Sequence, residues 1–325
     1  MRLLNVHTKR LHTFYGSSTP KYAILSHTWL SDHEEVIFSH IQSQQPSSWS
    51  HLPGAKKVDH TCQQAANDGY EWAWIDTCCI DKTNNAELSE AINSMFQWYQ
   101  RAQVCYVYLL DVDSNNAGDI FTSRWWSRAW TLQELVAPAN VQFFDEDWRN
   151  VGSRSALADE IALEKHIDSS ILRDPTVLSS SSVAQRMCWA AQREATREED
   201  LAYALLGIFN INMTMQYGEG GEAAFVRLQK EIMRTTKDMS IFAWGFKALP
   251  LESVLSGNRE PDSSSLESDQ NPDGVSKYGL LASRPSDFAG THDIISLPEH
   301  ESGVGDVEAE EEFGSEDLSK DATRM

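Results

Sequence analysis

The sequence predicts an α/β fold with a mostly parallel sheet, and two observations predict it. A buried strand, an amphipathic helix and a second buried strand follow one another between Trp72 and Leu110. Charged groups then gather past the carboxyl end of the second strand, which is how an open α/β sheet builds a site.

Each element has its own signal. Residues 1–30 read as short strands, of which Tyr22–Ser26 is the clearest. The polar segment 31–55 carries Pro46 and Pro53 and reads as a helix followed by an irregular loop. A helix from about Val58 to Asp68 stops at Gly69. The strand Trp72–Asp76 ends in an acidic turn, Asp81–Asn85, with Cys78 and Cys79 expected on opposite sides of extended chain. Asn84-x-x-Glu87 resembles a helix cap, and Leu88, Ile92, Met95, Phe96 and Tyr99 share one helical stripe beyond it. Val104–Leu110 is an apolar run of strand formers too short to cross a membrane.

Phe143-Phe144 predicts another short strand, and Ala156–His166 and Val183–Arg193 predict helices. Thr196-x-x-Glu199 has the form of a capping box ahead of Leu201, Ala204, Leu205 and Ile208. A glycine-rich turn at Gly218–Gly221 precedes a helix marked by Phe225, Leu228 and Ile232. Past Leu251 only Tyr278–Ser283 and Ile294–Leu297 hint at strands. Residues 299–317 carry nine carboxylates and no lysine or arginine, which predicts disorder. The chain therefore divides into an α/β core over 1–150, a mainly helical extension over 151–250, and a partly structured to disordered acidic tail over 251–325. It has no internal repeats.

With 325 residues, 41% of them apolar and 11 tryptophans, the chain can bury a sizeable core. Its net charge is −21, of which residues 252–325 contribute −13. That balance argues against nucleic acid as a partner, since binding it requires a basic surface. The five cysteines lie mostly in apolar runs without CxxC spacing or a histidine cluster, so buried free thiols are expected and no metal site. The amino terminus is too polar for a signal peptide and no segment reaches membrane-spanning length, so the expectation is a soluble, cytoplasmic protein without a membrane span.

Glu134 is the leading candidate for chemistry, because it stands among three tryptophans, Trp125, Trp126 and Trp130, and Arg128. A carboxylate partly desolvated by aromatic surface can stabilise a developing cation or take a proton. Arg128 could hold it ionised or bind a phosphate. On residues alone the structural alternative is favoured: an ion pair at a helix start, with the tryptophans as core. Trp29 could stack on a ring or pack in the core, and His27 is more ordinary as a hydrogen-bonded structural residue. Asp81 reads as a cap, whereas Asp76 stays open between a cap and a ligand for hydroxyl groups. The Gly218–Gly221 turn lacks the Gly-Lys-Ser/Thr ending of a phosphate loop, so nucleotide binding is rejected there.

Three blocks carry a family resemblance: Tyr22-Ala23-Ile24-Leu25-Ser26-His27-Thr28-Trp29; Trp74-Ile75-Asp76 with Cys79-Ile80-Asp81; and Trp126-x-Arg128-x-Trp130-Thr131-Leu132-Gln133-Glu134-Leu135. In order and spacing they resemble the fungal HET (heterokaryon incompatibility) domain. The stretch from Arg193 through Tyr217-Gly218-Glu219-Gly220 to Trp244 resembles the segment that often follows it. Leu30 and Lys82 depart from the usual glycine and glutamine. HET domains in turn resemble TIR domains, which implies a TIR-like (flavodoxin-like) sheet. Trp130-Thr131-Leu132-Gln133-Glu134-Leu135 matches a plant TIR motif whose glutamate is needed to cleave NAD, with threonine in place of cysteine.

The resemblance implies a protein of vegetative incompatibility and programmed cell death, with Glu134 acting on NAD as substrate and no other cofactor. Ser26, Trp29, Asp76, Trp126, Arg128 and Trp130 would line the pocket. It also implies a homo-oligomer on activation and an incompatibility partner in trans. The alternative is a non-catalytic homotypic signalling module. A buried, fully paired Glu134 would favour the module.

Overall fold

The computed structural model describes residues 1–113, 119–245 and 280–296. Seven strands form one mixed sheet: β1 (Arg2–Asn5), β2 (Leu11–Thr13), β3 (Ala23–His27), β4 (Trp72–Trp74), β5 (Val104–Tyr108), β6 (Val141–Phe144) and β7 (Asn150–Ser153), in the order β2-β1-β4-β3-β5-β6-β7. The four central strands are parallel, with β3 in register between β4 (Ile24 opposite Trp74) and β5 (Ile24 opposite Cys105). β1, β2 and β7 add antiparallel edges. This is an α/β fold with helices on the crossovers, as such parallel pairs require.

The crossover helices are α1 (Phe38–Gln42), α2 (Ala55–Asn67), α3 (Asp76–Cys79), α4 (Asn85–Arg101) and α5 (Thr131–Val136). Asn84 caps α4, accepting from the backbone nitrogens of Ala86 and Glu87. The α4 stripe buries Ile92, Met95 and Tyr99, with Leu88 and Phe96 packed at its margin. Gly69 follows α2 at φ +83°, the left-handed conformation that suits a helix stop.

The helical extension comprises α6 (Ala158–Lys165), α7 (Ser169–Arg173), α8 (Val183–Cys188), α9 (Asp200–Tyr203) and α10 (Gly221–Thr235). Its apolar side chains, including Met187, Tyr203, Phe225 and Leu228, belong to the same buried cluster as the sheet. Residues 280–296 lie against it: Ala282, Phe288 and Thr291 are buried, and Gln229 exchanges two hydrogen bonds with Ala282 at 2.7 and 3.0 Å.

Several expectations need correction. The strand at Trp72 ends at Trp74, and Cys78 and Cys79 lie on α3 rather than on extended chain, because both backbone nitrogens bond to the Ile75 carbonyl. The helix expected over Val183–Arg193 ends at Cys188. Thr196 and Glu199 form no capping box. Glu199 instead accepts the backbone N–H groups of Gly218 (2.8 Å) and Gly220 (3.2 Å), so tertiary donors outcompete the local one. Residues 280–283 form a turn rather than a strand, and 294–296 are irregular. The rest of both strand hints, and the acidic run 299–317, lie outside the described residues. No helix among the described residues is long and apolar enough to cross a membrane.

Candidate functional site

The parallel strands deliver Ser26 and His27 at the carboxyl end of β3, with Asp76 just past the end of β4. α5 begins beside them and carries Glu134 in its first turn. Two hydrogen-bonded networks result.

The first surrounds Glu134, which is 7% exposed. Ser26 donates its hydroxyl to Glu134 Oε2. The same Ser26 oxygen accepts from the indole nitrogen of fully buried Trp125 at 2.8 Å. Tyr99, whose hydroxyl donates to the Leu25 carbonyl at 2.9 Å, also lies close to the carboxyl. Burial pushes the Glu134 carboxyl up to about 8, aided by Asp76 and opposed by Ser26, Tyr99 and Arg193. At neutral pH Glu134 is therefore an uncharged acid, the protonation state that suits a site with no cation bonded to it.

The cation nearest in effect is Arg193, not Arg128. Arg193 is buried and donates to the carbonyls of Trp189 (3.1 Å) and Arg128 (2.8 Å) and to Thr131 Oγ1 (2.9 Å). Burial lowers its guanidinium to about 9, against the pull of Glu134. The Arg128 side chain turns elsewhere and donates to Thr196 Oγ1 at 3.3 Å.

The second network begins at buried Lys57 on α2. Its ammonium donates to Glu35, to the Thr28 carbonyl at 3.3 Å and to His27 Nδ1 at 2.9 Å. That fixes the histidine tautomer: Nε2 keeps its hydrogen and donates to Asp76 Oδ1 at 2.9 Å. Asp76 also accepts from the Trp29 indole at 2.9 Å and from Lys82 at 3.4 Å. Burial raises the Asp76 carboxyl, but Lys82, His27 and Lys57 together outweigh it and hold the group well below the usual carboxylate range. Burial likewise pulls Lys57 down, with Glu35 opposing. The half-exposed Trp29 ring carries Lys82 Nζ 3.3 Å above it. Glycine at 54 lets α2 start this close, since a Cβ there would meet the Glu34 carbonyl at 2.7 Å.

The fold thus brings Ser26, Trp29, Asp76 and Glu134 to one sheet end. Trp126 packs in the core, stacked on Phe143 and donating to the Ile120 carbonyl at 2.8 Å. Trp130 is partly buried beside Asp200. Sequence reasoning set Trp125 near Glu134 without a role, and missed Tyr99 and Arg193. Trp125 and Tyr99 sat inside patterns already read as core, and Arg193 lies 59 positions past Glu134 with no local signal. The thiols of Cys62, Cys78 and Cys105 are all driven up, the first to about 12 by burial, which leaves them inert. Among the described residues no cluster of three or more His, Cys, Asp or Glu side chains could hold a metal.

Comparison with known proteins adds three findings. The family model described as "Heterokaryon incompatibility protein (HET)" matches residues 22–120. A domain of unknown function (DUF8212) matches residues 223–311, running across the position where composition suggests a boundary. The chain is 45% identical over 222 residues to "Vegetative incompatibility protein HET-E-1" of Podospora anserina, a match covering 66% of this chain and 16% of that protein. The chain therefore spans about a sixth of this relative's length. No solved structure matches it.

Proposed function

This chain is a fungal HET-domain protein, and on that premise we propose that it acts in vegetative incompatibility, the non-self response that ends in programmed cell death. It would do so in the cytoplasm, assembling with copies of itself once an incompatible partner in trans has triggered it. The finer reading is a TIR-like site that cleaves NAD, latent in the conformation described here.

One observation carries that reading. Ser26, Asp76, Trp29 and Glu134 converge at the carboxyl ends of parallel strands, where open α/β sheets bind ligands. In the reaction the bond between ribose C1′ and nicotinamide nitrogen breaks. Its electron pair leaves with nicotinamide, which departs neutral and needs no general acid. An ionised Glu134 would stabilise the oxocarbenium-like ribose until water adds and releases a proton. The neutral Glu134 of this conformation cannot supply that charge. Loss of its burial on assembly would return it to the carboxylate form.

The low exposure of Glu134 and its bond to Ser26 favour a second reading, a non-catalytic homotypic module. NAD consumption by purified protein, wild type against Glu134→Gln at concentrations that force association, separates the two. Nicotinamide release abolished by the substitution supports the enzyme. No turnover, with death on expression surviving Glu134→Gln, leaves the module.

A further inference from the structure

Away from Glu134, a cavity of about 250 Å³ opens between the segment leading into α5 and the helical extension. Arg124, Lys165 and Arg193 line it with the indoles of Trp126 and Trp189. Glu164 is the one carboxylate in the lining.

In a chain whose acidic side chains outnumber its basic ones 48 to 27, such a gathering of cations is out of keeping with the composition. None of the three cations forms an ion pair with a carboxylate among the described residues. Arg124 donates to Thr28 Oγ1 at 3.2 Å and to the Trp29 carbonyl at 3.0 Å. Lys165 reaches the Phe121 carbonyl at 3.4 Å and stands 5.5 Å from the Trp126 ring centre. Arg193 is 8% exposed and bonds through Nε and Nη1 to carbonyls and a hydroxyl, all neutral. Its Nη2 nitrogen makes no hydrogen bond among the described residues.

A buried guanidinium without an ion-pair partner is costly, and among the described residues Arg193 has none within bonding distance. Glu134, the acid closest in effect, keeps its proton at neutral pH. Burial lowers both Arg193 and Lys165; Glu134 opposes this at Arg193, and at Lys165 Glu164 and Asp119 oppose it while Arg193 adds to it.

We propose that this cavity is a binding site for a small organic phosphate of nucleotide size, whose phosphate is held by Arg193, Lys165 and Arg124 and whose ring packs against Trp126 and Trp189. Planar guanidinium groups suit phosphate oxygens, and indoles suit a flat ring. The site stands independently of NAD cleavage, because none of its three cations is needed for that chemistry. It does adjoin it: Arg193 also donates to Thr131, three residues before Glu134, so a bound anion would be felt at the carboxyl.

AMP, adenosine and inorganic pyrophosphate serve as probes, followed by calorimetry and by tryptophan fluorescence on the whole chain. Wild type should bind AMP saturably and pyrophosphate more weakly, and should ignore adenosine. Lys165→Glu should weaken AMP binding at least tenfold, and Arg124→Gln should weaken it less. If Lys165→Glu does not fold, Lys165→Gln with a titration of sodium chloride reads the same charge dependence. Adenosine binding as tightly as AMP, AMP binding unchanged in the lysine variants, or no binding of AMP or pyrophosphate at millimolar concentration would each overturn the assignment.

Discussion

Ser26 and Glu134 stand 108 positions apart in the chain and share a hydrogen bond, with the Trp125 indole donating to the same serine oxygen at 2.8 Å. Both residues are buried, so the bond fixes how α5 sits on the end of β3; burial holds Glu134 as an acid, and the bond to Ser26 opposes that shift.

A defined pH dependence results. Below the ordinary value of 4.5 both the folded and the unfolded chain carry the Glu134 proton. As pH rises, the unfolded chain releases it first, while the folded chain keeps it until about 8. Folding then loses about 1.4 kcal/mol per pH unit across that window. Glu134→Gln removes the titration. Its stability relative to wild type, from urea unfolding, should rise between pH 5 and 8 and level off above.

Lys57 and Glu35 are both buried and directly paired. Lys57→Met leaves Glu35 without its cation and frees His27 Nδ1, and should cost roughly 3–5 kcal/mol in chemical denaturation. Adding Glu35→Gln should recover most of that loss, because the stranded charge is gone. A double variant as unstable as the single one would show that His27, not the ion pair, governs the cost.

Arg154 is buried and donates to three carbonyls: Leu172 at 2.7 Å, Leu135 at 2.6 Å and Ala139 at 3.1 Å. Two of these belong to α5 or the turn after it. Arg154→Met should orphan all three and lower stability by at least roughly 3 kcal/mol. Hydrogen exchange should locate the loosening at α5.

Gly207 packs on α4. A Cβ there would lie 2.0 Å from Phe96 Cβ and 2.5 Å from its Cγ. Gly207→Ala should destabilise the chain by about 1–3 kcal/mol through overpacking. Phe96→Gly in that background removes the clashing Cβ as well as the ring and should recover part of it, a coupling that thermal melts of the four variants measure.

The local elements were legible because their causes are local. Asn84 caps α4 as read, its side chain accepting from the Ala86 and Glu87 amides, and the apolar runs of β3 and β5 became central strands. Glu199 shows where such reading stops. Its position fits a capping box, yet the amides of Gly218 and Gly220 arrive from across a turn and take its carboxylate. The turn rejected as a phosphate loop gives two of its amides to the chain's own glutamate. Ser26 and Asp76 could be placed at strand ends. Arg193 could not be assigned to Glu134, because nothing near either residue in sequence announces the other.

Arg193 also sets the moment at which the site comes into being. During synthesis β3, β4, β5 and α5 emerge well before it, and the residues around Glu134 then lack the guanidinium that ties Thr131 and the Arg128 carbonyl together. A chain interrupted between Glu134 and Arg193 would carry the glutamate and still not carry the arrangement. The start of α5 is thus locked to the sheet by a residue of the helical extension, so the packing around Glu134 is completed only when both parts of the chain are present.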